Sequence, residues 1–436
     1  MRQTRTFPPR VRDRRLGGRL ITGFLIATLV LGAPSSVEAA EKAKPEPAMG
    51  LAELLDRAEQ QNPAIRAAEM RGEAARAKAG YAGALEAPRV KAALMDVATL
   101  GGPSLGVSQM FPGGLKRALM TEAADREAAM IRAEVDQRRL SIARDLRQAY
   151  YEHVYLNRAH GIYLQTLEQV RNLRRIADAR YAVGSGLHQD AIRAQRELSM
   201  LLDRGLMLDS ELEASRARIN TLANRAVDAA LQVPEDLPAL PAVMGDAELL
   251  ARAETHSPEL KALRARVEAQ EAMLALSREE KGAPDFEVGV ETGRSVPGNM
   301  SYLGGMVGIT LPWLNGGRFD ARIRESEAGL AAAQAAYQAQ RLGLRGEIRQ
   351  LRVVLLRSER QIKLYEKGLR PQSLQALQAA LAAYQVAKVD FDTVLESQTA
   401  IYQVQTDEAR AKADYHQTLA SLEALIGAPI SAAPIK

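Results

Sequence analysis

The sequence has 436 residues, of which 25% are charged, 4% are aromatic and none is cysteine; disulfides, thiolate metal sites, thiol nucleophiles and an acylated N-terminal cysteine are thereby excluded. The formal net charge of +5 does not point to nucleic acid, because residues 1–19 carry seven arginines and one aspartate while residues 40–436 sum to zero. Long stretches of Ala, Leu, Arg, Glu and Gln favour extended packed helices over one or two compact cores.

Residues 1–39 read as a signal peptide. An arginine-rich start, the apolar run 20–31 and then Val37-Glu38-Ala39 ahead of Ala40 follow the order of a cleaved leader. The run is too short for a confident membrane-spanning helix, and nowhere later do 18 apolar residues follow one another. Membrane contact by the mature chain would then need a β-barrel or an amphipathic surface.

The rest divides into two halves, 40–232 and 246–428, with a proline-rich linker, 233–245, between them and a tail, 429–436. Asn62-Pro63 recurs as Ser257-Pro258. Leu105-Gly106-Val107-Ser108, Pro112 and Gly113-Gly114 recur as Val307-Gly308-Ile309-Thr310, Pro312 and Gly316-Gly317. Tyr181-Ala182-Val183 with Asp190 recurs as Tyr384-Gln385-Val386 with Thr393. In the first half a helix over 48–86 leads to a β-hairpin over 88–111, a very long helix over 115–183 and a returning helix over 188–224. The second half repeats the plan over 246–281, 285–312, 318–386 and 390–426. The helices rest on apolar residues returning at three and four positions. The hairpins rest on alternation, with Phe286, Val288 and Val290 on one face and Asp285, Glu287 and Glu291 on the other. Pro103 and Pro297-Gly298-Asn299 are expected to supply the turns. Pro371 is expected to kink the second long helix.

At a rise of 1.5 Å per residue, the long helix of each half would reach about 100 Å, and the two shorter ones laid end to end would match it. Two hairpins give four strands, too few for even the smallest membrane barrels, which have eight. Open sheet edges are not tolerated in lipid. Several copies must therefore share one barrel. A trimer with twelve strands is the smallest cyclic solution well clear of the minimum, and it would wrap twelve helical columns into a tube.

The order of these parts, with Tyr181-Ala182-Val183-Gly184 before Asp190 and the run Ala217-Arg218-Ile219-Asn220-Thr221-Leu222-Ala223-Asn224, resembles the TolC-type outer membrane factors over essentially all of residues 48–428. The resemblance implies a mainly α chain with a small β part. As a homotrimer it would form a long α-helical barrel continuing into a transmembrane β-barrel in outer-membrane lipid. It also implies a tunnel that takes cargo from a periplasmic adaptor (membrane fusion) protein and an inner-membrane pump. Val107-Ser108-Gln109-Met110-Phe111-Pro112-Gly113-Gly114-Leu115-Lys116-Arg117 and Gly186-Leu187-His188-Gln189-Asp190 look most like the heavy-metal branch, served by resistance-nodulation-division pumps. Ala387 departs from the pattern by standing where the second half should carry glycine.

In that family acidic residues near the periplasmic turn narrow the closed tunnel. The matching positions are Thr393 and Glu396, with Asp390 and Asp392 within a turn and Asp190 in the first half. A threefold carboxylate ring would attract cations; the plainer role for such acids is helix capping and first-turn stabilisation. His153 and His160, seven residues apart, are too distant to share an ion and read as surface or interhelical. Met95, Met110, Met300 and Met306 suit lipid-facing or packing roles better than copper. Trp313 and Tyr302 are the best membrane-interface candidates. No catalytic, cofactor or metal pattern is present, so neither an enzyme nor a nucleic-acid binder is expected. The rival reading is a periplasmic coiled-coil adaptor or scaffold, which should show one helical hairpin where this chain has two.

Overall fold

The computed structural model describes residues 47–93, 101–295 and 300–430. The expected signal peptide and the Pro297-Gly298-Asn299 turn lie outside the described residues, as does Met95. The helices are α1 (Leu51–Gln61), α2 (Pro63–Ala82), α3 (Lys116–Ala182), α4 (His188–Leu222), α5 (Asp246–His256), α6 (Pro258–Gly282), α7 (Gly316–Leu364), α8 (Arg370–Gln385) and α9 (Phe391–Ile426). The strands are β1 (Arg89–Ala93), β2 (Gly101–Phe111), β3 (Asp285–Ser295) and β4 (Ser301–Thr310), forming one antiparallel sheet in the order β1-β2-β3-β4. No helix among the described residues is long and apolar enough to cross a membrane.

α3 runs 67 residues without a break, about 100 Å at the helical rise. Its N-terminal half packs on α2 and α6, where Lys78 pairs with Glu127 at 2.6 Å and Arg126 with Glu268 at 2.7 Å. Its C-terminal half packs on α4 and α9, burying Leu167 and Val170 against Leu201, Leu208 and Ala413. The chain is thus a wall of parallel rods, with its cores strung along the helices rather than gathered at one centre.

The two single helices expected at 48–86 and 246–281 are each broken at an X-Pro step. Asn62 is extended (ψ 121), as a residue before proline prefers. Its side chain then caps α2 through the Ala64 N–H (2.8 Å) and donates to the Leu222 carbonyl (2.8 Å). Ser257-Pro258 makes the corresponding break between α5 and α6. Pro103 lies inside β2, at the register irregularity between Gly101 and Ser104; the hairpin turn therefore does not form there. Pro371 does not sit in an ordinary helix interior. A π turn, Tyr365–Leu369, joins α7 to α8 just ahead of it, and the wider turn accommodates a residue that lacks an N–H and crowds the carbonyl four positions back.

The linker is strapped to the rods by buried groups. Tyr415 donates to the Pro241 carbonyl (2.7 Å), Tyr150 to the Gln232 carbonyl (2.9 Å), and His416 Nε2 lies 3.0 Å from the Pro238 carbonyl.

Candidate functional site

The sheet sorts its residues by face. The pairs Val107↔Val290, Phe111↔Phe286, Val288↔Val307 and Phe286↔Ile309 put these seven side chains on one surface, and all seven stay between 40% and 71% exposed in the single chain. The opposite face carries Lys91, Glu287 and Glu291, with Lys91 and Glu287 paired at 3.2 Å. Met110 pairs with Glu287 and Met306 with Gly289, so these two methionines share the polar face and are not lipid-facing. One continuous apolar face, one polar face, and hydrogen-bonding edges at β1 and β4 describe an arc of a membrane barrel whose edges further copies must close.

Where sheet meets rods, the chain ties a knot. Lys116, 4% exposed, donates to Asp285 Oδ1 (2.6 Å) and the Ala283 carbonyl (2.8 Å), while the Gly113 N–H donates to the same Asp285 oxygen (3.0 Å). Gly113 has no room for a side chain, since a Cβ would collide with the Pro284 carbonyl. The arc is thereby seated on the long helices.

At the opposite end, the α3–α4 and α8–α9 turns lie side by side. Asp190, 8% exposed, accepts a hydrogen bond from the Tyr384 hydroxyl (3.1 Å). The Arg180 guanidinium stacks on the Tyr384 ring at 4.4 Å and donates to the Tyr384 carbonyl. Burial, then the Asp190 carboxylate beside it, pushes the Tyr384 hydroxyl up to about 12, so it remains a donor at any physiological pH. Arg193 pairs with Asp392 across the same gap. Asp190 and Asp392 therefore each join the first half to the second. Asp390, Thr393 and Glu396 are exposed. Asp390 holds the N-cap position of α9, but its side chain makes no capping bond. Tyr384 entered the sequence reading only as a landmark, and Arg180 and Arg193 did not enter it. Their signal, opposite charges at the two turns, is visible only once the turns are known to touch.

The histidines bridge helices. His153 is buried against Ser215 Oγ (2.6 Å), and burial, then nearby Arg216, lowers its pKa to about 4. His160 lies 3.3 Å from Asp209. No cluster of three metal-ligating His, Cys, Asp or Glu side chains occurs among the described residues.

An arc of strands with one apolar and one polar face, mounted on long rods whose turns meet at the far end, is the architecture of a channel subunit. The chain belongs to the outer membrane efflux protein family, whose pattern it matches over residues 54–225 and 249–428. No curated protein matches its sequence. Among solved structures it is similar to VceC of Vibrio cholerae (20% identity, TM-score 0.74, 87% of this chain and 97% of that one). It is also similar to CusC (16%, 0.74, 87% and 92%) and to the open state of MtrE of Neisseria gonorrhoeae (18%, 0.70, 87% and 89%). The fold class expected from the sequence is thus borne out: a TolC-like, mainly helical chain with a small antiparallel sheet of four strands, a share that fits a barrel closed by a homotrimer.

Proposed function

We propose that this protein is the outer-membrane exit duct of a tripartite efflux system, passing substrate received from a periplasmic adaptor and an inner-membrane pump. The observation that carries the reading is the opposition of the two ends, with a polar-lined strand arc at one and the Asp190–Tyr384 and Arg193–Asp392 cross-links at the other. The division into residues 40–232 and 246–428 belongs to this reading, and the matching order of helices, strands and turns supports it. Residues 1–39 act as the export signal. The stretches 107–117 and 186–190 favour a resistance-nodulation-division pump and heavy-metal cations as cargo. Energy for export comes from the pump, and this chain performs no catalysis.

In the closed duct, Asp190 and Tyr384 hold the tip together, and Asp390, Asp392 and Glu396, tripled by symmetry, form the acidic constriction that admits cations. Sister copies cover the apolar side chains left exposed along the outer rods, such as Leu342, Val353 and Leu364 on α7 and Leu202 and Leu206 on α4.

Removing a partner of a buried hydrogen bond to a charged group is worth about 1.5–3 kcal/mol. Tyr384→Phe or Asp190→Asn should therefore raise the open fraction at least roughly ten-fold on that energy, read as larger conductance in planar bilayers. Unchanged conductance in both variants would remove the latch. Deletion of the gene followed by a panel of metals and antibiotics tests the cargo: lost drug resistance with every metal sensitivity unchanged would defeat the metal assignment.

A further inference from the structure

The connection from β4 to α7 contains three residues that the corresponding connection from β2 to α3 lacks. There Pro112 runs directly into Gly113-Gly114; here Trp313, Leu314 and Asn315 stand between Pro312 and Gly316-Gly317. The addition folds as a single 3₁₀ turn, Pro312–Asn315, with Pro312 buried. It leaves Trp313 52% and Leu314 77% exposed.

Two features indicate what covers them. The first is continuity with the membrane face. Val307 and Ile309 lie on the apolar side of β4, and Leu311, extended at φ −104 and ψ 92 and 39% exposed, continues their row up to the turn. The second is charge. Arg318, four residues beyond Leu314, is exposed and meets no carboxylate among the described residues. The nearby acids are engaged, Asp320 by Lys281 at 2.6 Å and Glu280 by Arg322 at 3.0 Å.

We propose that Leu311, Trp313, Leu314 and Arg318 form a binding site for an anionic phospholipid in the leaflet nearest the helical tube. The indole sits at headgroup level, where tryptophan is favoured. The two leucines lie among the acyl chains, and the guanidinium holds the phosphate. The site occurs once per subunit, because the first half lacks the added turn. It rests on the channel reading, since the membrane face of the sheet defines the rim on which it stands.

Trp313 is the only tryptophan of the chain, so its fluorescence in the unmodified protein reports on this site alone. The probe is the full-length trimer in phosphatidylcholine bilayers containing brominated phosphatidylcholine or brominated phosphatidylglycerol, with bromine near the carbonyl or near the methyl end of the acyl chain. Shallow bromines should quench the emission strongly and deep ones little, with phosphatidylglycerol the better quencher. Arg318→Gln should reduce that headgroup preference roughly five-fold, the share of one cation at an anionic surface, while shallow quenching persists. Emission that no brominated lipid quenches, in an intact conducting trimer, would overturn the site and assign Trp313 to the seam between subunits, leaving the channel reading in place. Equal quenching by both headgroups would likewise overturn it. A chain that neither trimerises nor inserts would overturn both.

Discussion

The two turns at the narrow end have one backbone and opposite fates. The first reverses through Gly184 at φ 72 and the second through Ala387 at φ 57, so alanine occupies the left-handed position that the family pattern gives to glycine. Around the first, Tyr181 is 51%, Val183 77% and Leu187 66% exposed; around the second, Tyr384 is 4% and Phe391 1% exposed. Each turn also pairs an aromatic with the ring seven residues on, Tyr181 with His188 at 4.9 Å and Tyr384 with Phe391 at 5.4 Å. The same local geometry leaves its flanking rings exposed in one copy and packs them in the other, while the valine of each turn, Val183 at 77% and Val386 at 64%, is exposed in both. What decides between them is the neighbour, with α4 lying against the second turn, and not the turn itself.

The largest test of this asymmetry is truncation of the paired rings. Phe391→Ala should cost about 3–5 kcal/mol of local stability, whereas His188→Ala at its exposed counterpart should cost under about 0.5 kcal/mol. Hydrogen exchange at the turn amides reads both, and equal losses of protection would abolish the distinction. The backbone offers a smaller and signed test. Gly184→Ala meets no atom within 4 Å, so its cost is conformational alone, about 1 kcal/mol. Ala387→Gly should gain a similar amount. Thermal melts shifted in the same direction by both changes would break the equivalence of the turns. Smallest is Arg193→Gln. Its ion pair with Asp392 is partly open to solvent, with side chains 31% and 49% exposed, so at most about 1 kcal/mol should be lost, and only at low salt. A loss that persists in high salt would show that the pair is shielded by a sister subunit.

Much of the architecture was legible because it rests on periodicity and length. The strand faces followed from alternation at Phe286, Val288 and Val290, and the rod lengths from counting residues. The breaks at Pro63 and Pro258 were equally legible from the restriction that proline places on Asn62 and Ser257, yet unbroken apolar spacing suggested continuous helices. Pro103 misled in the opposite sense, since a proline can sit within a strand at an irregularity as well as in a turn. At the narrow end, acidic residues were visible in the sequence, but their partners were not. Asp190 and Tyr384 are 194 residues apart, and only the juxtaposition of two distant turns reveals that one acid is buried and bonded while Asp390 and Glu396 stay exposed.

The π turn at Tyr365–Leu369 resets a count. Along α7 the buried side chains Ile348, Leu355 and Ile362 recur every seven residues, and along α8 Leu377 and Tyr384 do the same. From Ile362 to Leu377 the interval is one residue longer than two such steps, and the wide turn absorbs the surplus. Excising one residue there would rotate everything beyond it by roughly 100° about the helix axis. Tyr384 would swing away from Asp190, although no atom near either had been touched. A lesion some 20 residues distant would thus act as a phase error and present itself as a leak at the tip.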